Sequence, residues 1–231
     1  VTQSVRRAAP LALALFALAL QGCSMTREVR PVGKGNVAAG LSVGGPLFTN
    51  LGGAIPTPIL SPYVRYGLLK NLDLDFALDL TPAAVQGADI GLGYEFRDQK
   101  GGIPAVMGGA RVYGFGNMLA GTDRPAGYTG KYTLAPTAFE EIYGNVSWIV
   151  ARHWLLYAGV DLFAQAEQGI FIPSVLVGAE YRFTHVGIQA ELKEEGFDVN
   201  KEFSTVEFLG PNHYGALAFQ LGLNIYFGGT R

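Results

Sequence analysis

Nine residues, Leu72–Leu80, constrain the fold of this 231-residue chain more than any others. They read Leu-Asp-Leu-Asp-Phe-Ala-Leu-Asp-Leu. In an extended chain Leu72, Leu74, Phe76, Leu78 and Leu80 share one face, and Asp73, Asp75, Ala77 and Asp79 share the other. A helix would scatter the leucines around its axis, so a period of two describes the stretch and a helical period does not. One face is wholly apolar and the other carries three carboxylates. Such a strand suits a wall between hydrocarbon and water.

The same alternation recurs along the chain. Ten segments show it, with 32 glycines concentrated on the polar faces and between strands, and no long segment has helical periodicity. The connections at 70–71, 98–102, 151–153 and 184–185 are short, whereas those at 45–59, 81–87, 116–138, 164–173 and 194–212 are mostly longer. Short turns on one side and long loops on the other predict an all-β, up-and-down antiparallel transmembrane barrel of about ten strands, eight being the alternative count. An even count puts both ends of the barrel on the short-turn side. Tyr66, Tyr94, Phe96, Trp148, Trp154, Tyr181, Phe183, Tyr226 and Phe227 all fall at that end, where an aromatic girdle would meet the membrane–water interface.

The first 22 residues read as a signal peptide: basic Arg6 and Arg7, an apolar run from Ala8 to Leu20, then small residues. That run is well short of the ~20 residues of a spanning helix. Leu20-Gln21-Gly22-Cys23 resembles the bacterial lipoprotein signal, which implies cleavage before Cys23 and its lipidation. Ser24 after the cysteine implies, in that family, sorting to the outer membrane. Residues 24–35 are polar with Pro and Gly and read as a flexible tether, so the expected organisation is 1–22 signal peptide, 23–35 lipidated N-terminus and tether, and 36–228 barrel. Loss of Arg6 and Arg7 moves the formal charge from −2 to −4. No basic patch interleaved with aromatics points to nucleic acid. With its single cysteine lipidated, the chain can form no internal disulfide.

Residues 36–228 resemble the small outer-membrane β-barrel proteins, and the final Leu223-Asn-Ile-Tyr-Phe227 resembles their C-terminal assembly signal. The resemblance implies outer-membrane lipids, the barrel-assembly machinery and the lipoprotein-sorting machinery as partners. It names an architecture and no activity.

The polar face is expected to line the lumen. It carries Arg65, Asp73, Asp75, Asp79, Asp89, Glu95, Arg97, Arg111, Glu141, Asp161, Glu180, Arg182, Glu191 and Lys193, whose opposite signs can pair across a narrow interior. The aspartates are expected to pair with arginines such as Arg65, Arg97 and Arg111 rather than to line a cation path. Ten strands are only slightly wider than the eight that side chains just fill, so the interior is expected to be plugged or a narrow pore. His153 and His185 read as turn residues. His213, below a loop with Asp198, Glu202, Ser204 and Glu207, would resemble a lipid-modifying rim enzyme only with Ser204 beside it, and its sequence context does not match that pattern. No metal or cofactor motif is present. The apolar outer stretches Pro46-Leu-Phe48, Ile55-Pro-Thr-Pro-Ile59, Met118-Leu119 and Gly169-Ile-Phe-Ile-Pro173 would cap the barrel or meet a hydrophobic ligand or surface partner. The reading is a non-enzymatic, lipid-anchored envelope barrel with a structural, surface-interaction or narrow-pore role. Its rivals are the rim enzyme and a soluble periplasmic barrel binding an apolar ligand.

Overall fold

A computed structural model describes residues 26, 28–48, 54–56, 59–80, 85–117, 137–165, 170–200, 209–210 and 214–228. Ten long strands make the wall: β1 (Val37–Phe48), β3 (Ile59–Leu69), β4 (Leu72–Leu80), β5 (Val85–Arg97), β6 (Ala105–Asn117), β7 (Thr137–Ala151), β8 (Trp154–Gln165), β9 (Ile170–Arg182), β10 (Val186–Asn200) and β11 (Tyr214–Phe227). A two-residue strand, β2 (Ile55–Pro56), pairs with the outer end of β1 at Leu47 and Phe48. Each long strand is hydrogen-bonded to its neighbours in sequence, β1 to β3 across β2. The sheet closes where β1 meets β11, antiparallel, from Val37 opposite Phe227 to Pro46 opposite Ala218. The wall is therefore a closed antiparallel up-and-down barrel of ten strands, with no free edge.

The strand faces follow the alternation in the sequence. Ile90, Val112, Ile142, Val160, Val177 and Ile188 are 51 to 60% exposed on the outside. Asp73, Asp75, Arg111 and Glu180 are at most 2% exposed inside. This inverts a soluble protein, in which large aliphatics are buried and charges face water. The short connections are tight: Lys70 and Asn71 join β3 to β4, and Arg152 and His153 join β7 to β8. Between β5 and β6 an isolated bridge pairs Lys100 with Ile103 around Gly101, whose φ of 57° favours glycine.

Several segments expected as loops are strand. The stretch 170–173 opens β9, Pro46-Leu-Phe48 closes β1, and β10 runs on to Asn200. At these outer ends pairing between neighbouring strands continues past the alternating stretch, and it satisfies backbone groups that a loop would leave to water. Met118 and Leu119 lie outside the described residues.

Candidate functional site

Among the described residues the lumen holds nearly all the buried charges, and register explains how they meet. Asp75 on β4, Gly91 on β5 and Arg111 on β6 stand side by side across three strands. A Cβ at Gly91 would lie 2.9 Å from both Asp75 carboxylate oxygens and 3.0 Å from Arg111 Nε. The glycine leaves the gap through which Arg111 reaches over its neighbour to hydrogen-bond Asp75. Arg111 Nη1 also lies 3.3 Å from Asp89 Oδ1. Paired charges of this kind can stay ionised where a lone buried charge could not.

The other lumen charges are engaged in turn. Arg65 lies 4.9 Å over the Tyr63 ring and donates to Asn224 Oδ1 at 3.4 Å. Arg182 donates to Glu180 at 2.8 Å, which also accepts the Tyr226 hydroxyl. Lys193 Nζ stands 3.1 Å from Asp161 and 3.6 Å from Glu195. Tyr113 donates to Glu141 at 2.6 Å and Tyr157 to Glu191 at 3.0 Å. Of the four aspartates expected to pair with arginine, Asp75 and Asp89 meet Arg111. Asp73 accepts the Val32 backbone N–H at 2.7 Å, and Asp79 accepts the Ser61 hydroxyl at 2.7 Å. Glu95 is half-buried near the short-turn rim. Arg97, expected inside, ends β5 exposed, with its Nε donating to the Pro104 carbonyl at 3.3 Å. The register shift between Glu95 and Arg97 takes it out of the inward row.

Into this lumen runs the segment expected as a flexible tether. Thr26, Glu28, Val29, Arg30 and Val32 are all buried. Val29 packs with Leu155, Tyr157 and Leu176 of the wall. Asn145 donates to the Glu28 carbonyl at 2.8 Å and Tyr143 to the Glu28 carboxylate at 3.3 Å. Arg30 donates to Ser147 Oγ at 3.1 Å and to Gln99 at 2.6 Å. At the rim Gly35 donates to the Gly67 carbonyl at 2.8 Å. A Cβ on Gly93 would come within 2.4 Å of the Glu28 carboxylate and one on Gly222 within 2.5 Å of Thr26 Oγ1, so the wall is thinned where the segment lies. Polar composition reads as a tether when water is the alternative. Inside a polar lumen, the same groups find fixed partners.

Above the segment, toward the long-loop end, lies a cavity of about 250 Å3. Phe115, Phe139 and Phe163 turn inward here around Tyr113, with Phe139 and Phe163 stacked at 4.7 Å and Tyr113 edge-on to Phe163 at 5.1 Å. The sequence reading did not single these rings out, although each shares the parity of an inward residue on its own strand: Tyr113, Glu141 and Asp161.

At the opposite end the outward aromatics form a ring. Tyr66, Tyr94, Phe96, Trp154, Phe183 and Phe227 are exposed, and Trp148 and Tyr181 are half-exposed. Trp154 and Phe183 both contact Tyr181 edge-on at 5.0 Å. Tyr226, expected in the girdle, faces the lumen instead, because Phe227 takes the outward position. The turn histidines bind backbone: His153 Nδ1 lies 2.7 Å from the Arg182 carbonyl and His185 Nδ1 3.2 Å from that of Tyr226. Cys23, His213, Glu202, Ser204 and Glu207 lie outside the described residues, as does the side chain of Asp198.

No protein-family model matches the chain, and no curated protein matches it. Among solved structures it is similar to the NanC porin, at 10% identity over 82% of this chain and 98% of that one, TM-score 0.44. It is similar to an outer membrane channel from Pseudomonas putida F1, at 11% identity over 89% and 100%, TM-score 0.42. It is also similar to the outer membrane protease OmpT from Escherichia coli, at 10% identity over 84% and 94%, TM-score 0.36. Channels and a protease stand together in this set, and identity at this level assigns neither activity.

Proposed function

We propose that this chain is a bacterial outer-membrane barrel whose lumen is closed by its own N-terminal segment, serving envelope structure and surface interaction rather than open passage. The inversion of its faces carries the reading: aliphatics more than half exposed on the outside, salt-bridged charges within. Lipid is the solvent that makes such an exterior favourable, and a closed sheet is the only β-structure that leaves no unpaired backbone groups in it. A soluble barrel carrying an apolar ligand would need an apolar interior, and Arg65, Asp75, Arg111 and Glu180 stand there instead. The first test is migration in cold SDS. The folded protein is expected to run at a different position unboiled and boiled; a protein that shows no shift and stays monodisperse without detergent would overturn the reading.

Lipidation at Cys23 is the second part of the proposal. Cys23 precedes Thr26 by three residues, a chain length that reaches about 11 Å at most. Insertion of its acyl chains in the periplasmic leaflet and full docking of the segment therefore compete for the same few residues. Mass spectrometry of protein extracted from membranes is expected to show an N-terminal peptide beginning at an acylated Cys23. An unmodified peptide with another start would remove the anchor and leave the barrel. Function without catalysis is favoured because most lumenal acids and bases of the described residues have at least one partner among one another, hydroxyls and backbone.

A further inference from the structure

We infer that the cavity at the long-loop end of the lumen binds a small organic cation, an aryl- or alkylammonium, with its charge on Asp79 and its apolar body among Phe115, Phe139 and Phe163. The inference rests on the barrel reading but not on the closure of the lumen below.

Besides Met107, Leu155 and Leu176, which do not line this cavity, the lumen is lined mostly by charges, amides, hydroxyls and glycine, so three clustered inward phenylalanines need a reason. Lipid does not supply one, because the rings point away from it. Register builds them into a single wall: Tyr113 stands opposite Phe139, and Phe163 stands between Glu141 and Ile172. Phe115 completes the group, 5.9 Å from Tyr113 in a stacked arrangement and 5.8 Å edge-on from Phe139. Ile59 and Ile172 extend the apolar surface, and the cavity remains between them.

The polar lining sets the sign of the charge. Asp79, Glu141 and Glu195 contribute carboxylates, and Lys193 is the one cation among the lining residues. That ammonium is already committed, to Asp161 and Glu195. Asp79 lines the cavity and is 3% exposed; its Oδ1 accepts the Ser61 hydroxyl, while its Oδ2 has no hydrogen-bond partner. A buried carboxylate oxygen left unmet is costly, and a donor brought by a ligand would relieve that cost. Aromatic faces also attract cations, more strongly where water is excluded. An anion would meet an excess of carboxylates, and a neutral apolar molecule would leave Asp79 Oδ2 as it stands. Among the described residues no group of three His, Cys, Asp or Glu could hold a metal ion. At about 250 Å3 the space lies just under the usual range for drug-sized ligands, which suits one ring with a short amine arm.

Calorimetric titration of the full mature chain, folded in detergent, tests this with three probes of one shape: 2-phenylethylammonium, 2-phenylethanol and 3-phenylpropanoate. The ammonium is expected to bind at one site, at least about tenfold tighter than the alcohol, with the carboxylate weakest. Asp79→Asn is expected to weaken the ammonium about tenfold and leave the alcohol unchanged. Phe139→Leu, on the facing wall, is expected to weaken it several-fold and keeps the test decisive should Asp79→Asn not fold. Equal binding of alcohol and ammonium, binding by none of the probes, or indifference to both substitutions would overturn the assignment. The SDS shift of the same samples separates that failure from failure of the barrel reading, since a shifting protein that binds nothing is a barrel without this site.

Discussion

Deleting residues 26–32 is expected to turn an electrically silent barrel into a conducting one. In planar bilayers the unlipidated chain, folded with its segment docked, should give a flat baseline, and the deletion variant should give discrete steps. The reasoning is one of cross-section. Eight strands enclose a space that side chains just fill, and ten enclose somewhat more. Here the additional space is occupied by one extended chain, with Val29 against Leu155, Tyr157 and Leu176, and Glu28 against Tyr143 and Asn145. Removing it opens a water path lined by Asp73, Asp75, Asp89, Glu180 and Glu191, which outnumber Arg65, Arg111 and Arg182, so the steps should be cation-selective. The wall itself is untouched, and the SDS shift should persist. A variant that shifts on boiling yet stays silent would show that wall side chains, not the segment, close the lumen.

Placing a charge on the outer wall should separate the membrane barrel from its soluble rival by the largest margin in stability. Ile90 sits mid-strand between Phe76 and Val112 and is 53% exposed. In lipid, Ile90→Arg at the bilayer midplane is expected to cost about 2–4 kcal/mol. On a water-facing wall the same change would stay within about 0.5 kcal/mol either way. Denaturant unfolding of both proteins in lipid vesicles, with the lumen unaltered, reads the difference directly. A midpoint that does not move would place water, not hydrocarbon, outside Ile90.

The wall was legible in the sequence because a half-buried strand writes its two environments into alternate letters. Leu72–Leu80 is β4 to the residue, and Asp73, Asp75 and Asp79 face inward as the alternation requires. Strand ends were harder to read. Ile170 to Pro173 looked like an apolar loop because the pattern there is continuous rather than alternating, yet Ile172 lines the cavity within β9. The inward phenylalanines are visible by parity alone, since Phe139 and Phe163 each lie two residues from a residue of the polar face, Glu141 and Asp161, and Phe115 lies two residues from the inward Tyr113. Residues 26–33 left no such trace. Complementarity between a polar segment and a polar lumen has no period, and only the closed barrel brings Asp73, Asn145 and Ser147 to one strip of chain.

The docking of that strip reverses the order in which the chain is made. Its partners come from β3 (Tyr63), β4 (Asp73), β7 (Tyr143, Asn145), β8 (Leu155, Tyr157), β9 (Leu176) and β11, against which Thr26 lies at Gly222. The segment therefore leaves the ribosome before every strand of the wall, but its seat is complete only when β11 has closed on β1. Through that interval Glu28 and Arg30 have no carboxylate, amide or hydroxyl of the lumen to hold them, and water must do so. A greasy plug would meanwhile have collapsed onto the nearest unfinished strand. The polarity of these few residues thus answers to the long wait before closure as much as to the lumen that finally receives them.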